Sequence, residues 1–522
     1  MGTPGRNETA GDSAMPLRLG ETRQFARVRD LLRGAAFTEP TICQRLKLTQ
    51  FDRILGLTRE KAVLSETPDC LDILIRLFLL RESLSLEVMR PLIPAETLEA
   101  LEALGLVALD PADVGKMESP VALYPVGNLF IVSDRWFPPR DKAPIPPQDF
   151  VFPAITANTS QFLAGLSDSP CELLVDLGSG TGVGALEAAR YARRTWAIDI
   201  TERSTQMAEF NRRLNGLENV TVVCGDLYAP VGSLKFDRIV AHPPYMPAPK
   251  AAQIFYDGGT DGEQITRRIV EGLPQYLLPG GRLYCLTMGS DREAQPFERR
   301  IRAWLGEQEQ QFDIGLIVRR FYKPGELAIR WAVKTSSGPE GASDLTKALT
   351  DLGVERMVYG WVIIQRKTDE RAAFTIRREA GDQCGREEIA WLLNWETAAR
   401  APGILKLLAE AWLIANPAVE FCTVHKLKEG ELVAEPLNLH TGYPFDVNCK
   451  AQPWVPYLVA QCNGKSTARE LHSFCIQNEL ISAETPLEEF LKLLTVLISG
   501  GFLGAESPQF PRTPWGGPAA KG

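Results

Sequence analysis

The stretch from Leu173 to Tyr245 constrains this chain more than any other: LLVDLGSGTGVGALEAARYARRTWAIDITERSTQMAEFNRRLNGLENVTVVCGDLYAPVGSLKFDRIVAHPPY. It reads as an apolar strand, a glycine turn, a helix over 183–194, a strand closing on Asp199, a second helix, a strand followed by Asp226, and a fourth strand, FDRIVA, ending in His242-Pro243-Pro244-Tyr245. Short apolar runs separated by helical spacing belong to parallel strands buried on both faces. The stretch therefore predicts an open α/β sheet. Its acids and its proline turn fall at the carboxyl ends of successive strands, where ligands of such sheets bind.

In the turn GSGTGVG, Gly178, Gly180 and Gly182 allow the backbone to approach a ligand closely. Dinucleotide sites use similar turns, so the acids carry the distinction. Asp176, just before the turn, suits an amino group and would repel a pyrophosphate. Asp199 can hold the two hydroxyls of a ribose. Asp226, with the backbone amide of Leu227, can address an adenine edge. With Ser179, Thr181 and Ile200 beside them, these residues describe a site for a nucleoside bearing an amino-acid tail, S-adenosylmethionine. Each aspartate alone could cap a helix or turn, which is a poorer account of three at successive strand ends.

The tetrapeptide His242-Pro243-Pro244-Tyr245 would lie beside the reactive methyl group. Two prolines supply no amide donors and leave carbonyls facing a substrate. Such a wall suits a planar NH2 group, with the Pro243 carbonyl and the residue-242 side chain accepting its hydrogens and Tyr245 stacking on its plane. Positioning for in-line attack then supplies most of the rate. Upstream, FPAITANTSQFLAGL places Thr156 and Asn158 ahead of a short helix, as a cap or as a lip over the cofactor. Downstream, Asp257 and Asp261 in FYDGGTDG are either substrate contacts or solvated turns before a helix over 262–278.

The order DLGSGTG, Asp199, Asp226 and a PPY turn resembles the class I S-adenosylmethionine-dependent methyltransferases, in the subgroup with an (Asn/Asp)-Pro-Pro-(Tyr/Phe) turn for N-methylation. The segment FYDGGTDGEQITRRIVEGLPQYLLPGGRLYCLTMG resembles the release-factor glutamine N5-methyltransferases, which are HemK-like. The whole layout is similar to a bacterial group of HemK-like enzymes with extra domains at both ends, although only residues about 150–335 carry motifs that imply chemistry. The resemblance implies a Rossmann-like, seven-stranded class I methyltransferase sheet flanked by small helical or winged-helix domains. It implies S-adenosylmethionine as cofactor and a protein side-chain amide of the glutamine N5 type as first acceptor. An RNA or DNA base is the alternative. A third reading is a non-catalytic S-adenosylmethionine-binding scaffold, or a methyltransferase with an altered, small-molecule acceptor. His242 stands where the family has Asn or Asp; a neutral imidazole offers one acceptor nitrogen, an imidazolium none.

The rest of the chain divides around this core. Residues 1–19 are polar and predict disorder; 20–135 predict a helical, winged-helix domain with a strand pair around Gly127-Asn128; 135–150 are a proline-rich linker. The methyltransferase domain spans 150–368, including a helical insertion in RWAVKTSSGPEGASDLTKALTDLGVE; 369–506 predict a second helical or winged-helix-like domain, and 507–522 a flexible tail. Arg319, Arg320 and Lys323, with Phe321 and Tyr322 between them, are a cluster for phosphates and bases or simply solvated surface. Gly464-Lys465-Ser466 lacks the upstream glycine of a phosphate loop and reads as a turn before a helix cap.

The 522 residues are 45% hydrophobic and 23% charged, with a net charge of -8, which lacks the basic footprint of a dedicated nucleic-acid binder. Nucleic acid remains a possible partner and protein the first. Ten scattered cysteines contain no CxxC pair, so reduced thiols and no metal site are expected. No apolar run suits a signal peptide or a membrane span, and a cytoplasmic protein of unspecified oligomeric state is expected.

Overall fold

The computed structural model describes residues 15–57, 62, 67–111, 113–135, 147–247, 254–335 and 337–515. Of the start expected to be disordered, 1–19, residues 1–14 lie outside them, as do most of the proline-rich linker, residues 248–253 and, of the tail 507–522, residues 516–522; Leu17 is buried in the core and the Arg18 amide donates to the Leu104 carbonyl at 3.0 Å. The chain forms two compact units: Met1–Leu163, Asp168–Gly289 and Lys323–Glu355 in one, and Ala164–Ser167, Ser290–Tyr322 and Arg356–Gly522 in the other.

The first unit begins with α1 (Thr22–Gly34), α2 (Glu39–Leu46), α3 (Cys70–Leu74), β1 (Leu84–Ser85), α4 (Leu86–Met89) and α5 (Ala95–Ala103). Then come β2 (Ala108–Asp110), β3 (Asp113–Glu118), β4 (Ala122–Val126) and β5 (Leu129–Ser133). Strands β1, β3 and β2 make a small antiparallel sheet, whereas β4 and β5 form a separate hairpin whose two-residue turn is Gly127-Asn128. Gly127 has φ +55, as a tight hairpin turn requires.

The predicted sheet follows. Its elements are α6 (Ala157–Gly165), β6 (Cys171–Leu177), α7 (Val183–Ala188), β7 (Ala192–Asp199), α8 (Glu202–Asn215), β8 (Val220–Cys224), β9 (Phe236–Ala241), α9 (Gln264–Tyr276) and β10 (Leu277–Arg292). The strands run in the order β10-β9-β6-β7-β8, all parallel. Helix α7 is shorter than the 183–194 its spacing predicts, because Ala192 already pairs with Cys171 and the chain turns at Tyr191. The ladder with β6 wins over helical propensity there.

Helix α8 also completes the exposed edge of β5. Asn215 accepts from the Phe130 N–H at 2.9 Å and donates to its carbonyl at 2.7 Å; Asn211 does the same for Val132 at 2.7 and 3.0 Å. Residues i and i+4 on a helix are about 6 Å apart along its axis, close to the two-residue repeat of a strand, so two asparagines replace a neighbouring strand. Phe25 of α1 meets Phe210 of α8 edge to face at 5.0 Å. One apolar core runs through Phe25, Ile73, Leu101, Ile131, Met207 and Phe210, so the amino-terminal elements and the sheet share an interior.

The chain continues into the second unit with α10 (Phe297–Trp304) and β11 (Phe312–Tyr322), and returns to the first with α11 (Pro324–Thr335) and α12 (Gly338–Asp351). From Arg356, near the start of β12 (Val354–Arg366), it stays in the second unit, with β13 (Thr375–Ala380), α13 (Arg386–Ala398), α14 (Ile404–Ala409), β14 (Trp412–Ala415), β15 (Val419–Cys422), β16 (His425–Lys428) and β17 (Glu431–Ala434). Next are β18 (Asn438–Thr441), β19 (Phe445–Lys450), α15 (Val455–Gln461), β20 (Asn463–Thr467), α16 (Ala468–Gln477), α17 (Leu487–Ser499) and β21 (Leu503–Glu506). The seven expected strands are β6 to β12, with β12 antiparallel to β11. The sheet does not end there: β13 lies parallel on the other side of β11, followed by β19, β18 and β15.

Two lesser expectations resolve locally. Thr467 and Glu470 form a capping box at the start of α16, so the Gly-Lys-Ser trio leads into a helix cap. Arg319 lies over the Trp361 ring at 5.4 Å and Arg356 over Phe321 at 4.2 Å, so part of the basic-aromatic cluster is spent on internal packing. Among the described residues no helix is long and apolar enough to cross a membrane, and no group of three or more His, Cys, Asp or Glu could hold a metal ion.

Candidate active site

The register that pairs Leu177 with Ala241 sets the glycine turn after β6 beside the HPPY turn after β9. Strand order reverses at this point, since the chain runs β6, β7, β8 to one side and returns through β9 on the other, and ligands of open α/β sheets bind at the carboxyl ends of such a switch point.

Gly178 and Gly180 have φ +72 and +53, and a Cβ on either would meet nothing within 4 Å. Left-handed backbone facing open space is what a closely approaching ligand needs. The turn is held from β7: the Gly178 and Ser179 amides donate to the Ile198 carbonyl at 2.9 Å, and the Gly180 amide to Asp199 Oδ2 at 2.8 Å. Asp199 Oδ1 takes the Thr201 amide at 3.1 Å and its hydroxyl at 3.3 Å. Three of the roughly four acceptor positions of this carboxylate are thus filled from within, leaving about one for a ligand hydroxyl. Thr181 is buried beneath the turn, and its carbonyl accepts from Asn211 at 2.9 Å. Gly182, at φ +81, starts α7 against Ala208.

Asp176 points inward and is only 2% exposed, accepting the Ala185 amide at 3.1 Å. Burial pushes its carboxyl up to about 7, with the charge of Asp199 adding to the rise and the Ala185 amide opposing it. It holds α7 to β6. A Cβ on Gly184 would come within 2.5 Å of its oxygen, so that glycine is required by close approach. Asp226 is engaged by Arg268 at 2.7 Å, both half-exposed. Leu227 adopts φ +47, unusual for a leucine.

The test for S-adenosylmethionine is whether these residues leave unfilled chemistry of the right kind. They do. Ser179 Oγ is buried without a hydrogen-bond partner among the described residues, Ile200 is 53% exposed at the lip of β7, and the glycine turn faces open space. Ser179, Gly178 and Gly180, Asp199 and Ile200 therefore fit an amino-acid tail, a ribose and an apolar ring face respectively.

At the second turn the His242 ring lies between two others. It stacks on Phe162 of α6 at 5.5 Å and on Tyr245 at 6.0 Å, with interplanar angles of 23° and 25°. Burial pulls its pKa down to about 4, so the ring is neutral near pH 7 and presents an acceptor nitrogen. Tyr245 is tied to α6 by Asn158, whose Nδ2 donates to its hydroxyl at 2.9 Å. Thr156 takes the cap reading: its hydroxyl accepts from the Thr159 amide at 3.4 Å.

The glycine-rich loop packs directly on this turn. The Gly258 amide donates to the Met246 carbonyl at 3.0 Å, and a Cβ on Gly262, at φ +75, would lie 2.7 Å from the Tyr245 carbonyl oxygen. Asp257 accepts from the Gly259 amide at 2.9 Å; Asp261 accepts from the Glu263 amide at 3.0 Å and pairs with Arg267 at 2.6 Å. Both acids thus make turns and brace the loop. Phe162 and Asn211 were not singled out from the sequence. Phe162 lies four residues after Asn158, on the same face of α6, and that spacing is the signal that could have found it.

Residues 153–311 match the family model of the methyltransferase small domain. A ribosomal protein uL3 glutamine methyltransferase of Bradyrhizobium diazoefficiens is 32% identical over 158 residues, 27% of this chain and 49% of that protein. A release factor glutamine methyltransferase of Moorella thermoacetica is 35% identical over 156 residues, 27% of this chain and 55% of that protein. A ribosomal RNA small subunit methyltransferase C of Alcanivorax borkumensis is 29% identical over 114 residues, 22% of this chain and 31% of that protein. The chain spans about half the length of the glutamine methyltransferases it matches. Among solved structures, Trm5b from Pyrococcus abyssi aligns over 50% of this chain and 62% of that one at 15% identity, with a TM-score of 0.30, too low to add to the fold. In its parallel strand order, its glycine turn and the matched segment, the stretch 153–311 carries the methyltransferase small domain and is similar to the glutamine methyltransferases over about half their length.

Proposed function

We propose that the chain transfers the methyl group of S-adenosylmethionine to the side-chain amide nitrogen of a glutamine in a protein substrate. The observation that carries this reading is the neutral imidazole of His242, stacked between Phe162 and Tyr245 at the end of the HPPY turn. When bound, S-adenosylmethionine supplies an electrophilic methyl group on a sulfonium. The residues of the chain do the rest by orientation. The acceptor nitrogen of His242 and the carbonyl of Pro243 take the two amide hydrogens, the Tyr245 ring covers the amide plane, and Pro244 keeps the turn rigid. No strong base is required, because the amide nitrogen loses its proton to water after it has gained the methyl carbon.

The similarity to glutamine methyltransferases supports the acceptor class, and the net charge of -8 favours protein over nucleic acid. The elements outside 153–311 then select the substrate, and the cytoplasm, where ten thiols stay reduced, is the compartment. The test is incubation of the protein with labelled S-adenosylmethionine in a cell extract, divided between nuclease and protease. Label removed by protease and resistant to nuclease is expected. Label removed by nuclease would transfer the reading to a base amine, and bound cofactor with no labelled product would make the chain a scaffold.

A further inference from the structure

Beside the acceptor turn the first unit carries two donor groups with no acceptor of their own. The first is the Tyr256 hydroxyl. The short parallel bridge between Met246 and Asp257 places Tyr245 and Tyr256 at neighbouring positions, one in the HPPY turn and one in the glycine-rich loop. The Tyr256 oxygen is buried and has no hydrogen-bond partner among the described residues. A buried hydroxyl left unpaired is unfavourable, so a site of this kind is usually completed by something else.

The second is the ammonium of Lys334 on α11, the first helix of the insertion between β11 and β12. Its Nζ lies 4.9 Å from the centre of the Tyr256 ring and 5.7 Å from that of Phe152. No carboxylate of the described residues lies within ion-pair reach of it, and the acid of the same helix, Glu326, is held by Arg330 at 3.1 Å. Trp331, one turn back on α11, closes on Tyr256 edge to face at 4.8 Å. Phe152, Tyr256 and Trp331 thus make an aromatic floor, with a cation above it and an unpaired hydroxyl at its edge.

An ammonium and a phenol that lacks an acceptor both offer hydrogens, and rings under the cation hold it in place without neutralising it. The group that satisfies both at once is an anion with two oxygens. We propose that Lys334 and Tyr256 form a carboxylate-binding subsite that receives an acidic side chain of the protein substrate, close in sequence to the residue that is methylated. This deepens the proposed function and rests on it for the identity of the acceptor. It gives the α11–α12 insertion a role: it brings a recognition group to the acceptor turn from a part of the chain that the glycine turn and its acids do not use.

The experiment uses the full-length protein and dye-labelled glutamine peptides in which one Glu is moved through the positions flanking the glutamine, each with a Gln counterpart. Binding is read by fluorescence anisotropy and turnover with tritiated S-adenosylmethionine. At one position the Glu peptide is expected to bind on the order of tenfold more tightly. That preference disappears in Lys334→Met, is largely kept in Lys334→Arg and is reduced in Tyr256→Phe, while cofactor affinity measured by calorimetry is the same in all four proteins. Equal binding of Glu and Gln peptides at every position, or a preference that survives Lys334→Met, would overturn the subsite. Weakened cofactor binding in Lys334→Met would overturn it too, assigning the pair to the carboxylate of S-adenosylmethionine. Selective binding of Glu peptides without any methylation would leave the subsite standing and remove the glutamine reading alone.

Discussion

The side-chain amide of Asn158 donates to the hydroxyl of Tyr245 at 2.9 Å, so the helix that precedes the sheet fixes a ring in the turn that follows its fourth strand. A hydrogen bond of this kind contributes about 1 kcal/mol. Asn158→Ala and Tyr245→Phe should each lower kcat by about fivefold, and the double variant should fall little further, because both remove the same bond. Steady-state kinetics on the three proteins checks this; fully multiplicative losses would show that the bond does not orient the ring.

Asn211 links three groups that are distant in sequence: the N–H and carbonyl of Val132 and the carbonyl of Thr181 in the glycine turn. Asn215 makes the equivalent pair with Phe130 and does not touch the turn. Asn211→Leu should destabilise the protein by about 2–4 kcal/mol and weaken S-adenosylmethionine binding on the order of tenfold, whereas Asn215→Ala should reduce stability alone. Thermal unfolding and calorimetric titration separate the two effects. Equal cofactor affinity in both variants would refute the link from β5 to the turn.

Two groups of the site, His242 and Asp176, give stability opposite dependences on pH. His242 has a folded pKa of about 4 against an ordinary 6.5, so between these values the unfolded chain binds more protons and stability rises with pH. Asp176 is raised to about 7 from 3.8, so over that window the folded chain binds more protons and stability falls as pH rises. Measured as differences from the parent, Asp176→Asn should lose melting temperature on acidification through pH 6 to 4, and His242→Gln should gain it. Parallel curves for the two variants would rule out these assignments.

Gly262 of the glycine-rich loop and Gly232, between β8 and β9, offer a matched pair. Gly262 and Gly232 have φ +75 and +60, but a Cβ at Gly262 would collide with the Tyr245 carbonyl at 2.7 Å while one at Gly232 meets nothing within 4 Å. Both Ala variants should lose about 1 kcal/mol through backbone strain. Gly262→Ala should also lose at least about tenfold in kcat, because the acceptor turn must shift. Cofactor affinity should be unchanged in both, and a fall in kcat of the same size for Gly232→Ala would contradict the contact.

The sheet was legible because its information is local. Each strand from Leu173 to Ala241 is a short apolar run closed by a polar residue, and the order of those closures specifies a parallel α/β sheet. Register follows from the same pattern, since Leu177 and Ala241 are the last apolar residues before their turns. What each carboxylate does was less legible, because occupancy is a tertiary fact. Nothing in the neighbourhood of Asp226 announces Arg268, 42 residues away, and nothing near Asp199 says that the Gly180 amide already holds it. The asparagines of α8 look like ordinary polar helix residues until β5 is placed against them, and Lys334 reads as one charge on an amphipathic insertion until Tyr256 is found beneath it. The strands β13, β19, β18 and β15 were missed for a related reason. They are short, α13 and α14 lie between β13 and the other three, and no periodicity reveals that β13 joins the far edge of β11.

The central claim is that a neutral His242 at the acceptor turn presents a glutamine amide for methylation. Its most direct measurement is total enzymatic digestion of the protein fraction labelled in extract, followed by amino-acid analysis, for the parent chain and for His242→Ala. N5-methylglutamine carrying the label from the parent, with none from His242→Ala although that variant still binds S-adenosylmethionine, is the predicted result. Label in any other amino acid or in a nucleoside, or undiminished N5-methylglutamine from His242→Ala, would contradict it.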